Sequence, residues 1–323
     1  MTPLLLINYH YIRDPNGHPH PGIHPISMQA FADQVDGLCR DLHPASLDEF
    51  AAYAAGDDRL PGPSFFLTFD DGMVDHIHAA REVLAPRNIK AAYFVCSRPL
   101  LEGKAISTHK LHWLRATTAP ETFRENFLAR LPGEWRAKLD DPKLARAAGE
   151  TNLYDPPEIA QLKYMINFHL PYDLVDEITS LMLGERGVEE ADFCRDLYMN
   201  AEHLAELERM GHRIGSHGHS HQPMSRMTAD ALDDDLRQSV DCLAAIVEQP
   251  INWLAYPWGS DWAIPDNADM VCPAHGFELA ITLKRAWNTG GLSPFLLNRC
   301  NTNEVDALVA AGMEMESGQN ASA

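Results

Sequence analysis

Two stretches of this 323-residue chain carry residues whose types and spacing could do chemistry: His217-Gly218-His219-Ser220-His221 and Asp70-Asp71-Gly72. Two imidazoles four positions apart share a face on a helical turn, the spacing at which both can bind one metal ion. In an extended segment all three histidines lie on one side, so His219 stays open as a ligand. A carboxylate from another strand end would complete a facial two-His-one-Asp set with open positions for water and substrate. Asp70-Asp71-Gly72 taken alone reads as a surface Asx turn. Beside a histidine cluster the reading changes. Two neighbouring carboxylates at a buried strand end repel each other and are costly to desolvate, and a metal ion or a catalytic proton relieves that cost.

The elements that must position these groups follow from the apolar pattern. Leu4–Tyr9 reads as a buried strand ending at His10, and Ser64–Leu67 opens a second one that runs into the two aspartates. Ser27 is the expected N-cap of a helix through Cys39, and Ser46 with Glu49 forms a capping-box pattern. Ile77–Leu84 reads as helix and Ile89–Val95 as strand. This alternation predicts an α/β fold, a parallel sheet or barrel with helices outside. Residues 99–197 break the rhythm with helical patterns at Phe123–Leu131, Ile159–Phe168 and Leu174–Leu183. They are expected to form a helical insertion that could act as a lid, a substrate wall or an oligomer contact. A barrel would then span 1–98 and 198–312, with 313–323 a disordered tail. Further strands are expected at Arg213–Ser216, Asn252–Tyr256, Phe277–Thr282 and Phe295–Asn298, and a helix at Asp234–Val247. His18, His20 and His24 sit irregularly among prolines and read as a solvated loop, and the lone His109 reads as structural.

Composition narrows the class. A hydrophobic content of 45% and a charged content of 22% fit a globular enzyme. The net charge of −20 argues against nucleic acid or an anionic membrane surface as partner. The N-terminus lacks the features of a signal peptide, and no stretch approaches the roughly 20 apolar residues of a membrane span, so neither membrane insertion nor export is expected and the location reads as cytoplasmic. The six cysteines are scattered without paired spacing and suggest neither a disulfide framework nor a zinc knuckle.

Thr68–Gly72 (TFDDG), Met210–His221 (MGHRIGSHGHSH) and Ala255–Gly259 (AYPWG), in this order, resemble the motifs of the polysaccharide deacetylase family, also called the NodB-homology domain or carbohydrate esterase family four. Leu6–Ile12 and Asn88–Val95 resemble its flanking strands. The resemblance covers the barrel portions and leaves the insertion unexplained. It implies a distorted (β/α) barrel with about seven strands. It further implies Asp70 as general base, with Asp71, His217 and His221 as ligands of a divalent metal ion, zinc being the first choice. The backbone N–H of Trp258 would hold the oxyanion, although Trp258 reads equally well as a packing residue after a proline turn. Three departures stand out. Ala255 occupies the position of the arginine that orients the base, and Arg299 is the candidate replacement. The late Leu-x-His of the general acid is absent, His275 being the last histidine, and His10 is the candidate acid. Gly218 stands where a serine or threonine is usual. The expected activity is metal-dependent removal of an N-acetyl or other acyl group from an amino sugar of a glycan or glycoconjugate precursor. Hydrolysis of a small non-sugar amide, as in allantoinase-like relatives, is an alternative. So is a catalytically silent carbohydrate-binding barrel, which the missing arginine and acid keep open.

Overall fold

Strand β3 (Ser64–Asp71) is buried along its whole length and organises the sheet. The computed structural model describes residues 1–17, 23, 25–151 and 156–310. The loop histidines His18, His20 and His24 and the tail 313–323 lie outside the described residues. β3 pairs in parallel with β1 (Leu4–Tyr9), with Leu4 opposite Ser64 and Tyr9 opposite Phe69. On its other side it pairs with β4 (Ala91–Val95), with Asp70 opposite Phe94 and Asp71 opposite Val95. β5 (Arg213–Ser216), β6 (Trp253–Ala255) and β7 (Leu279–Ile281) extend the sheet beyond β4. The short β2 (His43–Pro44) pairs with β3, and β8 (Cys300–Asn301) pairs with β1. The seven-strand path β7-β6-β5-β4-β3-β1-β8 is parallel throughout and curves into a half-barrel with surrounding helices.

Alternation along the strands sorts two cores. Leu5, Ile7, Phe65, Leu67 and Tyr93 pack outward with the helices Met28–Asp41, Ala201–Arg209 and Ala229–Val247. Leu4, Leu6, Phe66, Ala92, Phe94 and Trp253 point the other way and pack with Phe50 and Tyr53. Both faces are therefore covered, which is why the strands read as continuous apolar runs. Phe50 lies on the helix Leu47–Ala54, started by the reciprocal Ser46–Glu49 capping box. Its ring stacks on Phe66 at 4.5 Å and meets Trp253 edge-on at 5.1 Å, so one end of the interior is filled by aromatic rings. On the same face, two and four residues beyond Phe66 along β3, come Thr68 and Asp70. The alternation that buries Phe66 thus delivers Asp70 to the interior.

The Ser27 cap and the helix it starts match the sequence expectation, as do the main strands. The expected strand Phe295–Asn298 does not form as one run. Leu297 bridges Ile281 of β7, and the chain then changes partner so that Cys300 pairs with Ile7 of β1. The switch of partner in mid-segment keeps either pairing short, and it places Arg299 between the two ends of the sheet.

The chain divides into two compact units. The first holds Met1–Asp14, Pro25–Glu102 and the chain from Arg195 on; the second holds Gly103–Cys194 with Pro15–Gly17. The second unit is helical and has its own apolar core, including Phe127, Leu131, Leu162, Met165 and Ile178. Lys110 is fully buried there, and its ammonium donates to Asp176 (2.6 Å), Ser180 (2.8 Å) and Glu190 (3.1 Å). Three acceptors for three N–H groups make that buried charge tolerable. His109 is buried within this unit. Among the described residues, no helix is long and apolar enough to cross a membrane.

His212, just before β5, is buried in its neutral form. Its Nδ1 accepts the Ala91 N–H at 3.2 Å, while its Nε2 has no hydrogen-bond partner among the described residues. Burial, with a smaller push from the Lys90 charge, lowers its pKa to about 4. A depressed histidine contributes stability above its unfolded pKa, and that contribution is lost as pH falls from about 6.5 towards the folded value. The group should therefore cost about 2 kcal/mol by pH 5. Urea unfolding at pH 7.5 and pH 5 should show His212→Asn losing about that much less than the wild type over the interval.

Candidate active site

The site gathers at the carboxyl ends of β1, β3, β5 and β6. Asp70 is 2% exposed, and its carboxylate meets Arg299 in a two-pronged pair, with Nη1 donating to Oδ1 at 2.8 Å and Nη2 to Oδ2 at 2.7 Å. Asn8 on β1 donates to Asp70 Oδ2 at 3.0 Å. The guanidinium is itself held in place. Its Nε donates to the Thr282 carbonyl at 3.1 Å, and Nη1 also reaches Thr68 Oγ1 at 3.1 Å. Burial by itself pushes the Asp70 carboxyl up, but the Arg299 charge and hydrogen bonds, helped by His217 and His10, outweigh it and hold the group below its ordinary pKa. Asp70 is thus a buried carboxylate kept ionised.

Asp71 turns the other way. Its φ of +74° puts it in the left-handed region, as do the values of +61° at His221 and +68° at Trp258. Left-handed backbone is uncommon for residues with a side chain and costs energy that the surroundings must supply. Of the five such residues other than glycine among the described ones, these three lie in the site. The turn at Asp71 brings its Oδ1 to 3.5 Å from His217 Nε2 and 3.3 Å from His221 Nε2. His217 Nε2 also lies 3.8 Å from Asp70 Oδ2.

His217 to His221 is not helical. The segment is a loop, with Gly218 at φ +72° and His221 at +61°, and those two left-handed residues bring the His217 and His221 rings to 5.0 Å. The shared helical face expected from their spacing is therefore replaced by a folded loop with the same outcome for these two rings. His219 points elsewhere: its Nδ1 pairs with Ser97 Oγ at 2.9 Å and its Nε2 with Glu102 at 3.0 Å. His217 Nδ1 lies 2.8 Å from the Ala255 carbonyl. A carbonyl can only accept, so Nδ1 donates there and Nε2 is the ring nitrogen that faces Asp71.

One Asp71 oxygen, His217 Nε2 and His221 Nε2 all lie within 4.8 Å of one another, and all three residues are buried. Ligands held about 2.0–2.2 Å from a tetrahedral ion stand about 3.3–3.6 Å apart. The two measured contacts between Asp71 and the imidazoles fall in that range. Two imidazole nitrogens facing a carboxylate form a donor set that fits a divalent cation. His10 Nε2 lies 3.9 Å from Asp71 Oδ2, with its side chain 37% exposed. Trp258 stacks obliquely on His221 at 6.1 Å, and its buried indole N–H has no hydrogen-bond partner among the described residues. His275 lies apart, paired with Asp233 on the surface.

The structure therefore places Asp70, Asp71, His217, His221, Arg299, His10 and Trp258 around one strand-end region, sets His219 and His275 apart, and adds two residues to which the sequence assigned no role. Asn8 and Thr68 line the interior beside Asp70. Each is a polar residue at an inward position of an apolar strand, and that was their signal in the sequence.

The polysaccharide deacetylase family model matches residues 177–280, a segment that holds both histidines and the Trp258 turn but not the two aspartates. Among solved structures, IcaB from Ammonifex degensii shares 17% identity at a TM-score of 0.57, over 96% of this chain and 97% of that one. The Streptococcus pyogenes deacetylase PplD in complex with acetate shares 13% at 0.54, over 93% and 91%. The deacetylase domain of BpsB from Bordetella bronchiseptica shares 15% at 0.53, over 93% and 95%. At these identities the likeness is one of fold. No curated protein matches the chain.

The Asp70–Arg299 pair generates a stability prediction with a definite sign. In the wild type the depressed Asp70 contributes stability above its unfolded pKa, and this is lost as pH falls through the folded value. Arg299→Met removes the main opposition to burial, so the Asp70 pKa rises and the variant gains stability relative to wild type as pH falls. At pH 7 the substitution should cost about 3–5 kcal/mol in urea unfolding, most of it recovered in the double variant with Asp70→Leu.

Proposed function

We propose that this chain, whose residues 177–280 match the polysaccharide deacetylase family model, is a metal-dependent hydrolase that removes the N-acetyl or another acyl group from an amino sugar of a glycan or glycoconjugate. The observation that carries the proposal is the meeting of Asp71, His217 and His221 beside a carboxylate that Arg299 keeps ionised. Asp71 Oδ1, His217 Nε2 and His221 Nε2 would hold the ion, with zinc the first choice for two nitrogens and one oxygen. A divalent cation supplies Lewis acidity towards the amide carbonyl and makes a bound water easier to deprotonate.

The remaining steps belong to the chain. Asp70 takes a proton from the attacking water, and its ionised state makes it ready to do so. Arg299 and Asn8 hold that carboxylate in one orientation, and Thr68 accepts from the Arg299 guanidinium. The backbone N–H of Trp258 donates to the oxygen that becomes negative as the carbonyl carbon turns tetrahedral. His10, beside Asp71 and open to solvent, is placed to give a proton to the departing amine. Acetate leaves, and acetate is the small molecule named with the PplD structure.

The test is metal content together with acyl release from a panel of acylated amino sugars and small amides. The purified protein should carry about one divalent ion per chain, and a chelator should abolish acetate release until metal is restored. Asp70→Asn should lower kcat by about 10²-fold or more while metal stays bound. No metal and no release across the panel would sink the proposal, and turnover confined to non-sugar amides would move the substrate class.

A further inference from the structure

We propose that Asp235 is a positioning residue that sets the ligand loop His217–His221 in the geometry the metal needs. The inference rests on the metal reading above. Asp235 lies on the helix Ala229–Val247 and is 6% exposed. Its carboxylate is spent on the residues between the two ligands. Oδ2 accepts the His219 N–H at 2.7 Å, while Oδ1 accepts the Ser220 N–H at 2.9 Å and the Ser220 hydroxyl at 2.5 Å. A hydrogen bond to a charged acceptor is about twice as strong as a neutral one, so three of them make a stiff clamp.

Gly218 shows how closely the carboxylate approaches. A Cβ at that position would lie 2.8 Å from Asp235 Oδ2, and the backbone there has φ +72°. A serine or threonine at 218 would collide with Asp235. The glycine that departs from the family pattern is therefore the residue that admits this clamp. A second set of bonds holds the loop to the segment after β4. His219 pairs with Ser97 and Glu102, Ser97 N–H donates to the Gly218 carbonyl at 3.3 Å, and Arg98 N–H donates to the His219 carbonyl at 3.2 Å. With 219 and 220 held by Asp235, and 218 and 219 held by the segment after β4, the stretch between the two ligands is fixed and His217 and His221 face Asp71.

A helix-stabilising role alone does not account for these contacts. The helix is packed by Leu232, Leu236 and Leu243, while the neighbouring Asp233 and Asp234 are exposed and pair with His275 and Arg237. Loss of the Asp235 carboxylate strands two backbone N–H groups of the loop and leaves the apolar face of the helix intact. The effect belongs in how well the loop holds metal, as with other groups that orient metal ligands without touching the ion.

The experiment measures Zn²⁺ affinity of the metal-free protein by competition with a chromophoric chelator, together with the visible spectrum of the Co²⁺-loaded protein. Asp235→Ala should weaken Zn²⁺ binding about 10–100-fold and alter the Co²⁺ bands, with the metal-free variant still melting cooperatively. Asp235→Asn, which keeps one oxygen acceptor, should fall between it and wild type. Gly218→Ala should shift affinity in the same direction, because its methyl displaces the carboxylate, and Asp233→Ala should leave it unchanged. Should Asp235→Ala fail to fold, Asp235→Asn and Gly218→Ala carry the test. Wild-type affinity and an unaltered Co²⁺ spectrum in these variants would overturn the clamp. Failure of the wild type to bind Zn²⁺ or Co²⁺ at all would instead overturn the metal reading, and the clamp with it.

Discussion

A charged carboxylate inside a barrel is the constraint on which this structure depends. Asp70 is almost fully buried, yet it lies below its ordinary pKa because a guanidinium grips both of its oxygens. Burying either charge alone costs several kcal/mol, roughly, so neither residue could stand there without the other. The partners are 229 residues apart in the chain. Arg299 sits where the segment after β7 leaves Ile281 and joins Ile7 of β1. Bringing the last segment against both ends of the sheet and keeping Asp70 ionised are therefore one event. The polar layer of Asn8, Thr68, Asp70 and Arg299 lies above an interior filled by Phe50, Phe66 and Trp253, which close off the other end.

Strain has a place in this arrangement. Asp70 and Asp71 are consecutive, and in a continuing strand they would point to opposite faces. The left-handed turn at Asp71 breaks that rule and lets two adjacent carboxylates serve one site, one aimed inward and the other at two imidazoles. His221 and Trp258 make similar turns at the ends of the neighbouring connections. Each such residue carries a cost of order 1–3 kcal/mol, which a rigid scaffold of buried strands can bear and an isolated loop could not.

Much of this was legible in the chain. The apolar runs marked the strands because both faces of a parallel sheet are covered, and Ser27 and Ser46 marked helix starts because their caps are local hydrogen bonds. Local patterns could not show turns that depend on positive φ. His217 and His221 share a face through a folded loop, and spacing alone suggested a helix for the same pair. His219 remained open because its fate is decided by Ser97 and Glu102, more than 100 residues earlier. Asp235 was illegible for a related reason. It is one of three successive aspartates, Asp233 to Asp235, and only the rotation of the helix against the loop decides which of them is buried.

The departures from the family pattern make physical sense as a connected set. The arginine expected at position 255 would project from β6 into the interior, where Ala255 instead contributes a methyl group to the inner core. The Ala255 carbonyl stays in use, accepting a hydrogen bond from His217 Nδ1. Arg299 enters the same interior from the other end of the sheet and occupies both oxygens of Asp70. A carboxylate already gripped on both oxygens gains little from a second buried guanidinium, and two like charges side by side in a low-dielectric interior would repel. A small apolar residue at 255 is thus compatible with an arginine at 299 that already grips Asp70. The same reasoning applies one strand over, where a glycine at 218 is what an aspartate at 235 requires. In both cases the small residue marks where another part of the chain has taken over the contact.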